Sequence, residues 1–426
     1  MRPASESPAT GTVGLIGAGW MGVQLGAQFV GHGLRLVIAD ANPQTLADAP
    51  RRIAAEIAEI GTQDCPPVEA CPGLSQFSGH HAPSMVGENG TVPFGNVEVS
   101  ADMATLAKCD LVLESVTENP AVKRQVYAQV EPHLAAGAVL GTNTSVIAIR
   151  ELAAGLAAAD RFCGIHFCHP VRRRPLVEIV AGPQTAADTV ARAVQFACAI
   201  GKMPILVKDA PGFLINRLLF RYLNEATSLL LDGAAIEQVD AAATGFGMAF
   251  GPLRMMDEIG LDTALHGGRL LRQTMSDRIT ADPLLVLLFK RGQLGRKVGQ
   301  GFYRYPSAVP EPEGPNPAAL DLIAHCAAPR PLLSGQEVLN RLLLSMLLEA
   351  TLILEEGRVA DPQAVDLGVL FGLGFPHEQG GLLYWADTLG IDRILEMLRP
   401  LEMLGPRLRP TPLLLEMGKQ ARRFYG

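Results

Sequence analysis

The run Gly17-Ala18-Gly19-Trp20-Met21-Gly22 limits the fold more than any other part of the chain. It reads GxGxxG, and its flanks give that pattern its meaning. Thr12–Ile16 is a short β-type run before it, and a helical pattern follows from Trp20 to about His32, where Gly33 stops it. Leu34–Asp40 is then a second apolar strand that ends in an acid. A lone GxGxxG is weak, but strand, glycine turn, helix, strand and terminal acid in this order are the fingerprint of a dinucleotide-binding βαβ unit. Gly17 allows the tight turn, Gly19 lets backbone N–H groups approach a diphosphate, and Gly22 lets helix and strand pack closely. The helix N-terminus adds its partial positive charge. Asp40 is placed to accept hydrogen bonds from ribose hydroxyls and to repel a 2′-phosphate, which selects NAD over NADP. The alternative is a glycine-rich turn in a non-nucleotide α/β fold, with Asp40 a plain strand-end acid.

Alternation continues beyond this unit. Leu111–Val116, Ala138–Thr142, Arg161–Phe167, Leu176–Val180 and Ile205–Val207 read as strands, with helices over 44–61, Ala121–Leu134 and Ala186–Ile200. Near-continuous apolar strands suit a parallel sheet covered on both faces. Residues 62–96 lose periodicity to Pro, Gly, Ser and His and read as a surface excursion. After Pro211 the strands stop. The fold class is therefore α/β then all-α: a doubly wound Rossmann sheet over 1–210, followed by helices. The helical half carries ordered internal matches. Gly212–Leu219 echoes Glu337–Leu343, and Glu225-Ala226 pairs with Glu349-Ala350, Asp232-Gly233 with Glu356-Gly357, and Val239-Asp240 with Val365-Asp366. Gly245-Phe246 pairs with Gly374-Phe375, and Asp257 and Gly260 with Asp387 and Gly390. Two tandem copies of one helical unit, 211–305 and 335–426 joined by a linker over 306–334, account for this order.

A chain of 426 residues is long enough for two or three domains, and 48% hydrophobic against 19% charged residues supplies ample core. A net charge of −7 argues against nucleic acid as a partner, because nothing neutralises a phosphate backbone at scale. Seven cysteines in no ladder read as reduced thiols and a cytoplasmic location. Cys65 and Cys71, with His80 and His81, lack a second close ligand pair, so no metal is expected. Residues 1–11 have no apolar core of a secretory signal, and no run is long enough to span a membrane.

Oxidising an alcohol by hydride transfer requires a base for the hydroxyl proton. His166 ends an apolar run, and Glu178 stands inside the apolar strand Leu176–Val180. A carboxylate among aliphatic residues is costly unless paired. Adjacent strands would bring the two together, and the acid would fix the imidazole tautomer. Spacing alone leaves a catalytic pair and a structural buried pair equally open.

At these residues the chain resembles the 3-hydroxyacyl-CoA dehydrogenases. His166-Phe167-Cys168-His169-Pro170-Val171 is similar to the family's HFFNPV, Asn143-Thr144-Ser145 to its NTS, and Glu118 to Lys123 to its ENxxVK. Pro211 to Arg217 is similar to PGFxxNR, Gly251 to Asp257 to GPFxLxD, and Lys297 to Tyr303 to KxGxGFY. Gly374-Phe375-Pro376 with Gly380-Gly381 resembles the second helical repeat in the dehydrogenase half of bacterial multifunctional fatty-acid-oxidation enzymes, here with no hydratase domain ahead of it. The motifs span about 12–40 and 97–395.

The resemblance implies an NAD-dependent (S)-3-hydroxyacyl-CoA dehydrogenase of β-oxidation or a related CoA pathway. His166 would be the base and Glu178 its partner; Ser145 would bond the substrate oxygen, and Asn216 would polarise the carbonyl region. NAD would be held by Gly17, Gly19, Met21, Gly22 and Asp40, with Glu118, Lys123 and Asn143 along the ribose and nicotinamide. Each has a plainer alternative: Ser145 as a helix N-cap, Asn216 as a helix-start residue, Lys123 as a solvated helix charge. Cys168 and His169 replace the family's Phe and Asn, and His169 competes as base. Arg172-Arg173-Arg174 is a solvated loop or a cationic rim, with Arg173 meeting CoA phosphates or an acidic carrier protein. Residues 62–96 match the family poorly. The competing functions are the same chemistry on an acyl-carrier protein, a non-catalytic NAD-binding structural protein, and an unrelated 2-hydroxy-acid or sugar-acid dehydrogenase. A hydratase or thiolase partner is a further expectation. So is a monomer or homodimer, since two helical copies satisfy within one chain the contact that single-copy relatives make as dimers.

Overall fold

The structure is a computed structural model and describes residues 11–60, 96–306, 311–327 and 332–426. The excursion over 62–95, with Cys65, Cys71, His80 and His81, lies outside the described residues, as do parts of the 306–334 linker. The chain divides into two compact units, with the division after Phe213.

The first unit is an eight-stranded sheet. Along the chain lie β1 (Thr12–Ile16), α1 (Trp20–Gly31), β2 (Arg35–Ala39), α2 (Pro43–Ile60), β3 (Val97–Ser100), β4 (Leu111–Glu114) and α3 (Pro120–Val130). Then come β5 (Val139–Thr142), α4 (Ile149–Leu152), β6 (Phe162–Phe167), β7 (Leu176–Ala181), α5 (Ala187–Ala199) and β8 (Met203–Lys208). The strand order is β3-β2-β1-β4-β5-β6-β7-β8. Neighbours run parallel except β6 and β7, which pair antiparallel. The connection 168–175 is the reason, since a parallel return needs a crossover of about a dozen residues or more. Val13, Leu15, Leu36, Ile38, Leu113, Val139, Ile165 and Val177 form the core with Phe29 of α1. β3 has no counterpart in the sequence reading. Its Glu98 and Val99 are exposed, so an edge strand with no buried run gave no signal.

The second unit is helical, but its strands do not stop altogether. Tyr303–Arg304 pairs antiparallel with Gly314–Pro315. Beside this pair the Phe302 and Tyr303 N–H groups donate to the Asp257 carboxylate, each at 2.9 Å. The expected linker also contains a helix, Pro317–Cys326. Asn316 caps it and Pro317 occupies the first turn.

The matched sequence landmarks make matched contacts. α6 (Ile215–Leu231) packs on the helix Gly335–Glu355. Arg217 of α6 pairs with Glu349 at 2.6 Å and Glu356 at 2.8 Å. Arg341, at the corresponding place, pairs with Glu225 at 2.5 Å and Asp232 at 2.7 Å. Asp240 accepts the Leu253 and Arg254 N–H groups and the Tyr303 hydroxyl. Asp366 accepts those of Leu383, Tyr384 and Tyr425 in the same way. The two halves differ at one crossing position. Arg221 stands where the other helix has Ser345. The Ser345 hydroxyl donates to the Arg221 carbonyl at 3.4 Å, and the Arg221 guanidinium donates to the Arg407 carbonyl at 2.6 Å.

The Arg217–Glu349 and Arg341–Glu225 pairs are buried, so their energetics follow from desolvation. Replacing Arg217 with Met leaves Glu349, which is fully buried, without its nearest cation. A loss of about 3–5 kcal/mol is expected from urea unfolding. Acid acts on the same network. Burial alone would raise the Glu356 carboxyl, but hydrogen bonds and charge from Arg217, with Arg358 and Arg278, outweigh it and hold it at about 2, from an ordinary 4.5. A carboxyl depressed in the fold stabilises above its unfolded value and ceases to as pH falls through the folded one. The unfolding midpoint should therefore drop between about pH 4.5 and 2, and Glu356→Gln should be weaker at neutral pH and flatter across that window.

Candidate active site

The glycine loop is built as its residue types require. Gly17 has φ +105°, and a Cβ there would lie 2.6 Å from the Ser115 carbonyl oxygen. A Cβ on Gly22 would lie 1.9 Å from the Gly17 oxygen. Gly19 differs: nothing stands within 4 Å of its Cβ direction. A cradle lies open there, at the first turn of α1, where unbonded N–H groups suit a diphosphate. Asp40 shapes the loop as well. One carboxylate oxygen accepts the Ala18 N–H at 2.7 Å and the other that of Asn42 at 2.8 Å. The residues present fit a dinucleotide. Met21 is half-buried in the same turn.

The strand ends beside this loop carry a buried polar network. Glu114 closes β4 and is fully buried. It accepts Lys123 Nζ at 2.8 Å, the Tyr127 hydroxyl at 2.6 Å, the Thr142 hydroxyl at 2.8 Å and the Val116 N–H at 2.6 Å. The sequence reading missed Glu114, although an acid ending the apolar run Leu111-Val112-Leu113 is the signal that exposed Glu178. Lys123 is buried, not solvated, and also meets Glu118 at 3.4 Å. Glu118 accepts the Thr144 hydroxyl and the N–H groups of Ser145 and Val146. Burial raises this carboxyl, but Lys123, Thr144 and the two amides outweigh it and hold it below the usual range. Asn143 accepts the Phe167 N–H at 2.9 Å and donates to the Ser115 hydroxyl at 3.4 Å.

His166 and Glu178 face each other across the antiparallel β6–β7 pair. His166 Nδ1 and Glu178 Oε2 are 2.6 Å apart, with the imidazole 5% exposed and the carboxylate fully buried. A carboxylate only accepts, so Nδ1 carries the proton and donates, leaving Nε2 to take one. The Phe213 ring lies 5.9 Å from the imidazole.

Ser145 is not an N-cap: Asp209 accepts the Ile149 and Arg150 N–H groups at the start of α4, and the Thr144 hydroxyl accepts that of Ile147. Asn216 is the second residue of α6 in the helical unit and is buried. The arginine triplet is not one solvated patch. Arg172 pairs with Glu56 of α2 at 2.5 Å, while Arg173 is exposed. His169 does not join the dyad; its ring lies 4.1 Å from that of Trp20. Its crowded setting, then Arg174 and Arg172, lower its pKa to about 4. Burial pushes the Cys168 thiol up to about 12, which disfavours its thiolate. Among the described residues, no cluster of three or more His, Cys, Asp and Glu is placed to hold a metal, and no helix is long and apolar enough to cross a membrane.

The NAD-binding domain of 3-hydroxyacyl-CoA dehydrogenases matches residues 12–210, and the C-terminal domain of these enzymes matches twice, over 212–305 and 338–423. The chain belongs to the 3-hydroxyacyl-CoA dehydrogenase family. It is thus an NAD-dependent oxidoreductase of that family. Its structure is similar to that of (S)-3-hydroxybutyryl-CoA dehydrogenase PaaH1 from Ralstonia eutropha, with 30% identity, 70% of this chain and 100% of that one covered, and a TM-score of 0.61. The dehydrogenase part of multifunctional enzyme 1 from C. elegans is 26% identical, with 97% and 90% covered and a TM-score of 0.65. 3-Hydroxybutyryl-CoA dehydrogenase from Escherichia coli K12 shares the fold at 23% identity, with 97% and 99% covered and a TM-score of 0.79.

In this dehydrogenase the close approach at Gly22 is the most sensitive point of the loop. Gly22→Ala is expected to push α1 off β1, costing about 1–3 kcal/mol in unfolding experiments, and to weaken NADH binding measured by titration. A variant that binds NADH and unfolds like the parent would show that the loop tolerates a Cβ there.

Proposed function

We propose that this dehydrogenase catalyses the reversible oxidation of (S)-3-hydroxyacyl-CoA thioesters to 3-ketoacyl-CoA, with His166 as general base and acid. The observation that carries this reading is the His166–Glu178 bond in antiparallel register. Glu178 fixes the tautomer, so Nε2 accepts the proton of the C3 hydroxyl and returns it in the reverse direction. Glu178 also stabilises the imidazolium that this transfer creates. Bound NAD supplies the hydride acceptor. Ser145 orients the substrate oxygen, and Asn216 polarises the carbonyl region. Gly17, Gly19, Met21, Gly22 and Asp40 hold the diphosphate and adenosine ribose. Glu118 and Asn143 border the nicotinamide ribose, and Lys123, already engaged with Glu114 and Glu118, acts by holding Glu118 in place.

Arg173 is the exposed member of its triplet and suits a CoA phosphate. Arg172 is paired with Glu56 beside it. The formed dyad argues against a purely structural role. We also infer that 211–305 and 335–426 are two copies of one helical unit. The reciprocal Arg217 and Arg341 pairs support this, and they leave the chain a monomer in solution, which sedimentation velocity checks.

The test is NADH oxidation with acetoacetyl-CoA and a longer 3-ketoacyl-CoA. His166→Ala should lower kcat by about 10²–10⁴-fold with NADH affinity unchanged, and Glu178→Gln should fall between. Full turnover in His166→Ala would refute the assignment of the base. Comparing CoA-bound and carrier-bound forms of one acyl group separates those substrates.

A further inference from the structure

We propose that Trp20 and His169 form an aromatic clasp at the edge of the dinucleotide site, positioning the bound cofactor between the glycine loop and the His166 dyad. The inference rests on the dinucleotide reading of Gly17–Gly22.

Trp20 is 60% exposed in the first turn of α1. The fold does not need an indole there. Val23, Leu25, Ala27, Phe29 and Val30 carry the buried face of that helix. Its neighbour Gly19 opens onto the cradle described above. Yet the ring is not loose, because the His169 imidazole packs on it at 4.1 Å with a tilt of 48°.

His169 is presented to Trp20 by a segment pinned from several sides. Gln24, one turn beyond Trp20 on α1, accepts the Val171 N–H at 3.0 Å. Lys202 Nζ donates to the carbonyls of Val171 at 2.5 Å and Arg174 at 3.0 Å. Arg172 is tied to Glu56 of α2. The ring contact is thus imposed by backbone anchors as well as by the rings' own attraction.

The pair joins two segments that a bound dinucleotide also joins. Its diphosphate would lie over Gly19, and its reacting ring would reach His166, three residues before His169. An indole offers an apolar face and one N–H donor, and a neutral imidazole offers one donor and one acceptor. With its pKa lowered to about 4, His169 stays neutral at working pH and the ring pair keeps one charge state.

The test is equilibrium NADH binding, read by energy transfer from the indole. The protein has two tryptophans, so Trp385→Phe leaves Trp20 as the only donor. In that background NADH is expected to quench Trp20 fluorescence. By titration calorimetry, Trp20→Ala should weaken NADH by roughly three- to ten-fold, and Trp20→Phe should retain most of the affinity. His169→Ala should cost a similar factor, and the double variant no more than about the larger single loss, because the rings act as a unit. Thermal melts of each variant show whether the fold is intact. Unchanged affinity in folded Trp20→Ala and His169→Ala would overturn the clasp, as would strictly additive losses. No NADH binding by the parent protein would instead overturn the dinucleotide reading itself.

Discussion

The Glu178 carboxylate sits in a strand buried on both faces, and it is tolerable there because His166 stands directly opposite. An isolated ionised carboxylate in that setting would cost several kcal/mol. The antiparallel turn between β6 and β7 is what supplies the partner. The same constraint recurs through the molecule. Glu114 depends on Lys123, Tyr127 and Thr142, Glu225 on Arg341, and Glu349 on Arg217. Buried acids set the order of this fold as firmly as its apolar residues do, because each one dictates which element must come next to it.

Much of this is legible in the sequence, and the reason is local. The glycine loop, its flanking strand and helix, and the acid at Asp40 lie within one short stretch, where each residue's physical role is specified by its neighbours. The pairing of His166 with Glu178 is legible because an acid among aliphatic residues demands an explanation. The helical matches are visible because their landmarks keep their order. Other features escape because their causes are distant in sequence. β3 is an exposed edge strand that pairs with β2, an element about sixty residues earlier in the chain. The helix start at Ile149 is capped not by nearby Ser145 but by Asp209, far along the chain. Lys123 looks like an ordinary helix charge until Glu114 is seen beneath it.

The glycine loop and the dyad divide the work of the α/β unit. The first is defined by what it leaves out, since side chains at Gly17 and Gly22 would collide with backbone and one at Gly19 would fill the cradle. The second is defined by what it fixes, a single tautomer held by a fully buried carboxylate. Between them runs the polar network of Glu114, Lys123 and Glu118, which keeps the ends of β4 and β5 in place without lending apolar bulk to the site.

The crossing of α6 with the helix Gly335–Glu355 has a consequence for how the chain can change over time. In a pair of identical subunits, a residue near the symmetry axis meets its own copy, so every substitution there occurs twice at once. Two arginines facing each other at such a point would repel. Here Arg221 meets the Ser345 side, and its guanidinium reaches the Arg407 carbonyl. Joining both halves in one polypeptide lets each accept substitutions that the other does not share. The two faces are then free to become complementary instead of self-complementary. A face specialised in this way fits its covalent neighbour better than it fits itself.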